Sequence, residues 1–160
     1  MREFTYEALP GRVVFGVGSL DRLADEVERL GVAKALVLST PQQREQAEDV
    51  AARLGDRSAG VYDKAEMHVP IDVAKAARAE AERLGADACV AVGGGSTIGL
   101  GKAIALEFGL PIIAVPTTYA GSEMTPIWGL TEDGVKKTGR DAKVLPTTVV
   151  YDPTLTLTLP

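Results

Sequence analysis

The apolar run Ala88-Cys89-Val90-Ala91-Val92 stops at Gly93-Gly94-Gly95, and Ser96 then opens a stretch of helical length ending at Phe108. Few folds accept this order. A run without polar alternation must be buried on both faces if it is a strand, as in the centre of a parallel sheet. Three glycines let the backbone approach whatever lies beyond the strand. The helix that follows aims its unpaired N–H groups and its dipole at the same place. The segment therefore predicts a nucleotide or another phosphate-bearing ligand. Ser96 can cap the helix and donate to a phosphate.

The flanking sequence repeats one device. Arg29-Leu30-Gly31, Arg53-Leu54-Gly55 and Arg83-Leu84-Gly85 each end a helical pattern with a cation, an apolar anchor and a glycine. The first helix has Ser19 as its expected N-cap and Leu20, Leu23, Val27 and Leu30 on one face. Pro41 opens the second and Pro70 the third. Short apolar strands are expected at Ala35–Leu38, Gly60–Tyr62, Pro111–Val115 and Thr147–Tyr151. Phe4 to Phe15 reads as a β-hairpin around Leu9-Pro10-Gly11. The resulting fold class is α/β: a Rossmann-like parallel sheet with helices on both faces, plus this N-terminal hairpin. Ligands of such sheets bind at the carboxyl ends of the strands. Thr117 to Lys143 loses helical periodicity and reads as a long functional loop or hairpin. The alternating tail Thr154–Pro160 reads as an edge strand or a linker.

Composition removes several classes of function. A formal charge of -5 argues against a general nucleic-acid binder. No apolar run is long enough to span a membrane, and the start lacks a signal-peptide core. Cys89 is the only cysteine and His68 the only histidine, far apart in sequence. A metal cluster or a Cys-His nucleophile pair is not expected, and a single cysteine suits a reducing cytoplasm. Cys89 reads as a small core residue and His68 as a loop or surface histidine.

The glycine turn fails two standard patterns. A P-loop needs Gly, four residues and Gly-Lys-Ser/Thr, whereas Ser96 stands at the first glycine and Ala103 follows Lys102. The Gly-x-Gly-x-x-Gly fingerprint fails from Gly93, from Gly99 and from Gly16. Gly93-Gly94-Gly95-Ser96-x-x-Gly99-x-x-Lys102 instead resembles the Gly-Gly-Gly-Ser-x-x-Asp-x-x-Lys motif of the iron-containing alcohol dehydrogenase family, a relative of dehydroquinate synthase. Phe15–Leu20 is similar to that family's opening strand and turn, Pro116–Thr125 to its Pro-Thr-Thr…Gly-Ser-Glu-x-Thr loop, and Val135-Lys136-Lys137 and Asp152–Pro160 to later landmarks. Two departures point to its maleylacetate reductase branch: Gly99 replaces the motif's Asp, and Ser39-Thr40-Pro41 replaces the acidic residue after the second Rossmann-like strand.

The resemblance implies site residues. Gly94, Gly95 and Ser96 are expected to hold a dinucleotide pyrophosphate, with Gly93 supporting the turn. Thr117, Thr118, Ser122 and Thr125 are expected around the nicotinamide and its ribose, and Glu123 is expected to orient that loop. Lys136 aligns with a lysine that approaches the cofactor, although the adjacent Lys137 allows a slip of one. Thr40 stands where many dehydrogenases place a carboxylate for the adenosine ribose; a hydroxyl there predicts relaxed choice between NADH and NADPH. Gln42 or Gln43 can assist. Tyr119 is a substrate-side candidate. Lys102 either leans toward the ligand or is structural.

The implied activity is reduction of the carbon–carbon double bond of maleylacetate to 3-oxoadipate with NADH or NADPH, without a metal, by a cytoplasmic homodimer. The expected organisation is an NAD(P)-binding domain over 1–153 and the start of a linker over 154–160. The family's C-terminal helical domain, with its catalytic and metal-binding groups, is expected beyond Pro160, so no catalytic residue is expected within this chain. The cofactor domain of a metal-dependent alcohol or polyol dehydrogenase, and a non-catalytic nucleotide-binding module, are the alternatives.

Overall fold

A computed structural model describes Glu3 and residues 9–159. Six parallel strands form one sheet in the order β1-β8-β5-β4-β2-β3: β1 (Arg12–Phe15), β2 (Ala35–Leu38), β3 (Ser58–Tyr62), β4 (Ala88–Gly93), β5 (Ile112–Pro116) and β8 (Thr148–Tyr151). β2, β4 and β5 are buried along their whole length, which is why they read as unbroken apolar runs. Two helices cover one face, α1 (Leu23–Arg29) and α2 (Arg44–Leu54), through Leu23, Val27, Ala47, Val50 and Leu54. The other face carries α3 (Ile71–Arg83) and α4 (Gly95–Phe108), through Ala74, Ala77, Ala81, Leu100 and Ile104. From β2 the chain runs outward to β3, then returns to lay β4 on the other side of β2. The glycine turn after β4 therefore sits at the switch point of the sheet, where two helices on opposite faces diverge and leave a crevice.

Helix starts depart from expectation. Ser19 does not cap α1: it follows Gly18 (φ 77) in a 3-10 turn over Ser19–Arg22, and its hydroxyl donates to the Tyr151 carbonyl at 2.8 Å. Pro41 opens a 3-10 turn, Pro41–Gln43, ahead of α2. The cap of α4 is Gly94, and Ser96 makes no capping bond. The helix ends follow the sequence: Gly31, Gly55 and Gly85 all have positive φ, at 69°, 55° and 62°.

The expected N-terminal hairpin falls partly on residues 4–8, outside the described residues; its second half is β1, which joins the sheet edge parallel to β8. Arg12 of β1 grips Glu26 of α1 with two bonds, at 2.7 and 2.9 Å, and Arg29 adds a third at 3.0 Å. Between β5 and β8 lies an antiparallel hairpin, β6 (Ile127–Glu132) and β7 (Val135–Arg140). Asp133 and Gly134 turn it with φ of 52° and 74°, the Asp-Gly pattern of a tight hairpin. Trp128 lies across Gly139, where a Cβ would come within 2.5 Å of the indole. The tail is neither strand nor extended linker at its start: Pro153–Thr156 is a 3-10 turn capped by Asp152, with Leu155 packed on the core.

Candidate nucleotide site

The turn leaves β4 at Gly93, with φ of 149°, and each of its glycines answers to a different neighbour. A Cβ at Gly93 would lie 2.6 Å from the Thr97 hydroxyl and 2.7 Å from Gln43 Oε1. One at Gly94 would lie 3.0 Å from the Thr118 side chain. Contacts below about 3 Å force something to move, so the backbone here is as close to its surroundings as an unsubstituted chain allows. The first N–H groups of α4 have no acceptor within the helix and face the crevice.

Gln43 spans the crevice floor. Its amide donates to the Thr117 hydroxyl at 2.9 Å, which links the turn after β2 to the loop after β5 across Gly93. Thr40 starts the same turn, with a long 3.4 Å contact to Gln43. A space of about 640 Å³ lies beside it, bordered by Gln43, Gln46, Thr117 and Thr118, with Glu45 and Asp49 at its rim.

On the other side of the glycine turn lies a cleft of about 710 Å³. Gly95 and Ser96 form one edge, Ser122 and Thr125 a wall, and Trp128 and Lys136 of the hairpin the far side. Its lining includes Lys102, Lys136 and His68 and, among the described residues, no carboxylate. In a protein of net charge -5 this is a local reversal of sign that favours anions. Lys136 faces the cleft across Gly129, where a Cβ would sit 3.0 Å from its Cε. Lys137 pairs with Glu132 at 2.6 Å, so of the two lysines it is Lys136 that lines the cleft.

The structure thus gathers Gly95, Ser96, Ser122, Thr125 and Lys136 around one cleft and Thr117 and Thr118 beside the other, with Gly94 between them. Tyr119 is not brought to either. It is 71% exposed and its hydroxyl meets that of Thr156 at 2.9 Å. Thr125 is partly engaged already, donating to the Ser122 carbonyl at 3.2 Å. Glu123 is buried and accepts a 2.7 Å bond from the Tyr151 hydroxyl. Burial first, then this carboxylate, pushes the Tyr151 phenol well above its ordinary range.

Sequence reasoning left Lys102 open and missed the loop before α3. Lys102 is 1% exposed, and its ammonium is enclosed by backbone oxygens of the loop that carries Ser122 and Thr125. The one available signal was a lysine on the apolar face of α4, among Ile98, Leu100 and Ala103. His68 and Val69 both have positive φ, 64° and 46°, a costly conformation for a β-branched residue. Two bonds hold them: Thr131 donates its hydroxyl to the His68 carbonyl at 2.8 Å and its N–H to the Val69 carbonyl at 3.0 Å. Val69 then lies against Gly99, where a Cβ would come within 2.8 Å of its Cγ2. Any larger side chain at this position would meet Val69 there. Among the described residues no three His, Cys, Asp or Glu side chains gather to hold a metal, so the residues here do not fit one. No described helix is long and apolar enough to cross a membrane.

A glycine turn at the switch point of an α/β sheet, with a cleft beside it, is where sheets of this class take their ligands. The iron-containing alcohol dehydrogenase family model matches residues 10–153, and the chain belongs to that family. Maleylacetate reductase of Burkholderia cepacia is 64% identical over 160 residues, covering 100% of this chain and 46% of the relative. The crystal structure of maleylacetate reductase from Agrobacterium tumefaciens superposes with a TM-score of 0.96 at 54% identity, over 100% of this chain and 46% of that one. Sulfoacetaldehyde reductase from Bifidobacterium kashiwanohense, solved with NAD+, shares the fold at a TM-score of 0.88 and 23% identity, over 99% and 49%. The chain therefore spans just under half the length of the relatives it matches.

Proposed function

We propose that this chain is the NAD(P)H-binding unit of a maleylacetate reductase, which reduces the double bond of maleylacetate to 3-oxoadipate. The reading rests on the glycine cradle at the switch point in a chain 64% identical to a maleylacetate reductase. Two features support the reading: a Cβ at Gly93 would lie 2.6 Å from the Thr97 hydroxyl and one at Gly94 3.0 Å from the Thr118 side chain, and a helix N-terminus follows, a place that suits a phosphate. Residues 1–153 form the nucleotide-binding unit and 154–160 begin a linker.

When bound, the reduced nicotinamide supplies a hydride. Everything else assigned to this chain is binding and orientation. Gly94, Gly95 and Ser96 take the pyrophosphate. Thr117, Thr118, Ser122 and Thr125 border the nicotinamide and its ribose, and Lys136 adds a cation from the hairpin. The uncharged turn at Thr40 receives the adenosine ribose. The groups that protonate and hold the substrate belong to a part of the protein outside these residues, in a cytoplasmic homodimer, and no metal takes part.

The test uses Thr40. A carboxylate there would repel a 2′-phosphate, whereas a hydroxyl does not. Thr40→Asp in the intact protein is expected to leave NADH affinity within about threefold and to weaken NADPH by about tenfold or more, since two like charges about 4 Å apart cost at least ~1 kcal/mol in water and more near a protein surface. Equal loss of both nucleotides, or of neither, refutes the placement of Thr40. Failure of the unsubstituted protein to bind either one refutes the functional reading.

A further inference from the structure

Lys102 sits two turns into α4, the helix that the glycine turn opens, yet its ammonium contacts lie on a different segment. It donates to the carbonyls of Ser122 at 2.7 Å, Thr125 at 2.7 Å and Ile127 at 2.8 Å. A longer approach of 3.2 Å reaches the Thr125 hydroxyl. An ammonium has three N–H bonds, and three short acceptors meet them. The three carbonyls converge on a point that only a cation or a triple donor satisfies. A neutral amine has two N–H bonds and a lone pair, so it would leave one carbonyl unpaired and set the lone pair against it.

These carbonyls come from the segment that supplies the Ser122 and Thr125 side chains and then enters β6. The Ser122 carbonyl also accepts from the Thr125 hydroxyl at 3.2 Å, but it is the ammonium that ties all three carbonyls to α4. We propose, resting on the cofactor reading above, that Lys102 is a positioning residue: its protonated ammonium fixes the 122–127 segment against α4, so that the cleft is complete for the nucleotide only while that proton is held.

Two opposing influences act on the proton. Burial pulls the ammonium down to about 8, and Glu123 pulls it back up. The titratable and charged groups around the site are Glu123 on the same turn, Tyr151 of β8, whose hydroxyl donates to Glu123, and Lys136 and His68 on other walls of the cleft. Above pH 8 the protonated fraction falls tenfold per unit, and nucleotide affinity follows if the proton is required.

The experiment is calorimetric titration of the intact protein with NADH from pH 6.5 to 9.5, for the unsubstituted protein, Lys102→Met, Lys102→Arg and Lys136→Met. The expected result is a dissociation constant flat to about pH 7.5 and roughly tenfold weaker by pH 9. Lys102→Met binds at least tenfold more weakly and without the pH dependence. Lys102→Arg restores binding and removes the fall, since a guanidinium keeps its charge. Lys136→Met binds more weakly but keeps the fall. A Lys102→Met protein with unsubstituted affinity, or a fall that persists in it or vanishes in Lys136→Met, overturns the proposal.

A second readout needs no ligand and separates this failure from failure of the cofactor reading. Amide hydrogen exchange over residues 122–127, corrected for the intrinsic pH effect, is expected to accelerate at least tenfold between pH 7 and 9.5 while β4 and β5 stay protected. Unchanged exchange in that segment overturns the proposal whether or not a nucleotide binds. The measurement on the unsubstituted protein also stands where Lys102→Met does not fold.

Discussion

The packing of Val69 on Gly99 makes a quantitative prediction through a two-residue cycle. Gly99 is the fifth residue of α4, where replacing glycine with alanine ordinarily stabilises by about 0.5–1 kcal/mol. Here the added methyl would sit 2.8 Å from Val69 Cγ2, inside contact distance. Val69 has little room to withdraw, because its backbone is held at φ 46° by the bonds from Thr131 and its side chain is 4% exposed. Overpacking of this kind costs about 1–3 kcal/mol. The expected sum for Gly99→Ala is therefore a destabilisation of about 1 kcal/mol, or 2–4 °C in Tm for a chain of this size.

Val69→Ala removes the opposing methyls. Alone it loses about 1.6 kcal/mol of buried apolar contact, partly offset because an unbranched residue tolerates the left-handed conformation better. In that background Gly99→Ala no longer meets Cγ2 and is expected to stabilise by its full 0.5–1 kcal/mol. The coupling energy between the two sites is then about 1.5–2 kcal/mol, measured by urea denaturation of the four proteins at pH 7. Additivity within about 0.5 kcal/mol would refute the contact as the reason for glycine at this position. Gly99→Asp is expected to cost more than Gly99→Ala, since its larger side chain meets Val69 at the same place, although Lys102 and Lys136 in the lining favour its charge.

Two further outcomes follow from buried groups. Glu26 is buried beneath Arg12 and Arg29, which are both more than 40% exposed, and the Arg12 bonds hold its carboxyl below the ordinary range against the opposite pull of burial. A carboxyl lowered on folding contributes stability that is present at neutral pH and is lost as pH falls through its folded value. Glu26→Gln is expected to cost about 1–2 kcal/mol at pH 7 and progressively less on acidification; an equal cost at pH 7 and pH 3 would refute this. Burial pushes the Cys89 thiol, near the start of β4, up to about 12, so a thiol reagent at pH 8 is expected to leave the folded protein unlabelled and to label it in urea. Rapid labelling of the native protein would contradict a central position for β4.

The fold was legible because its signals are local. Unbroken apolar runs at Ala35–Leu38 and Ala88–Val92 mark strands covered on both faces, and the Arg-Leu-Gly endings at Gly31, Gly55 and Gly85 mark helix stops whose positive φ the structure carries. Helix beginnings were less legible. A serine in front of an apolar pattern suggests a cap at Ser19 and Ser96, but Arg22 stands at the cap of α1 and Gly94 at that of α4, and the hydroxyl of Ser19 bonds a strand 132 residues away. The Thr117–Lys143 segment lacked helical period because it is a hairpin whose pairing depends on Asp133-Gly134 and on Trp128 covering Gly139. These are contacts through space, and periodicity along the chain does not report them.

The same distinction governs the site. Three consecutive glycines announce a close backbone approach but not what is approached. In the structure Gly93 yields to Gln43 and Thr97, Gly94 to Thr118, and Gly99 one turn on to Val69. Each constraint comes from a different segment: the turn after β2, the loop after β5 and the strained residues before α3. A single alanine at Gly93, Gly94 or Gly99 would thus disturb a different wall of the site, whereas Gly95 has room for one, so the glycines are not interchangeable spacers. The turn is shaped jointly by the three segments it faces, and Gln43, bonded to Thr117 over the top of Gly93, ties two of them together. Loosening that amide should spread the crevice without touching the glycines, which is why the binding geometry belongs to the assembled sheet end and not to the glycine motif alone.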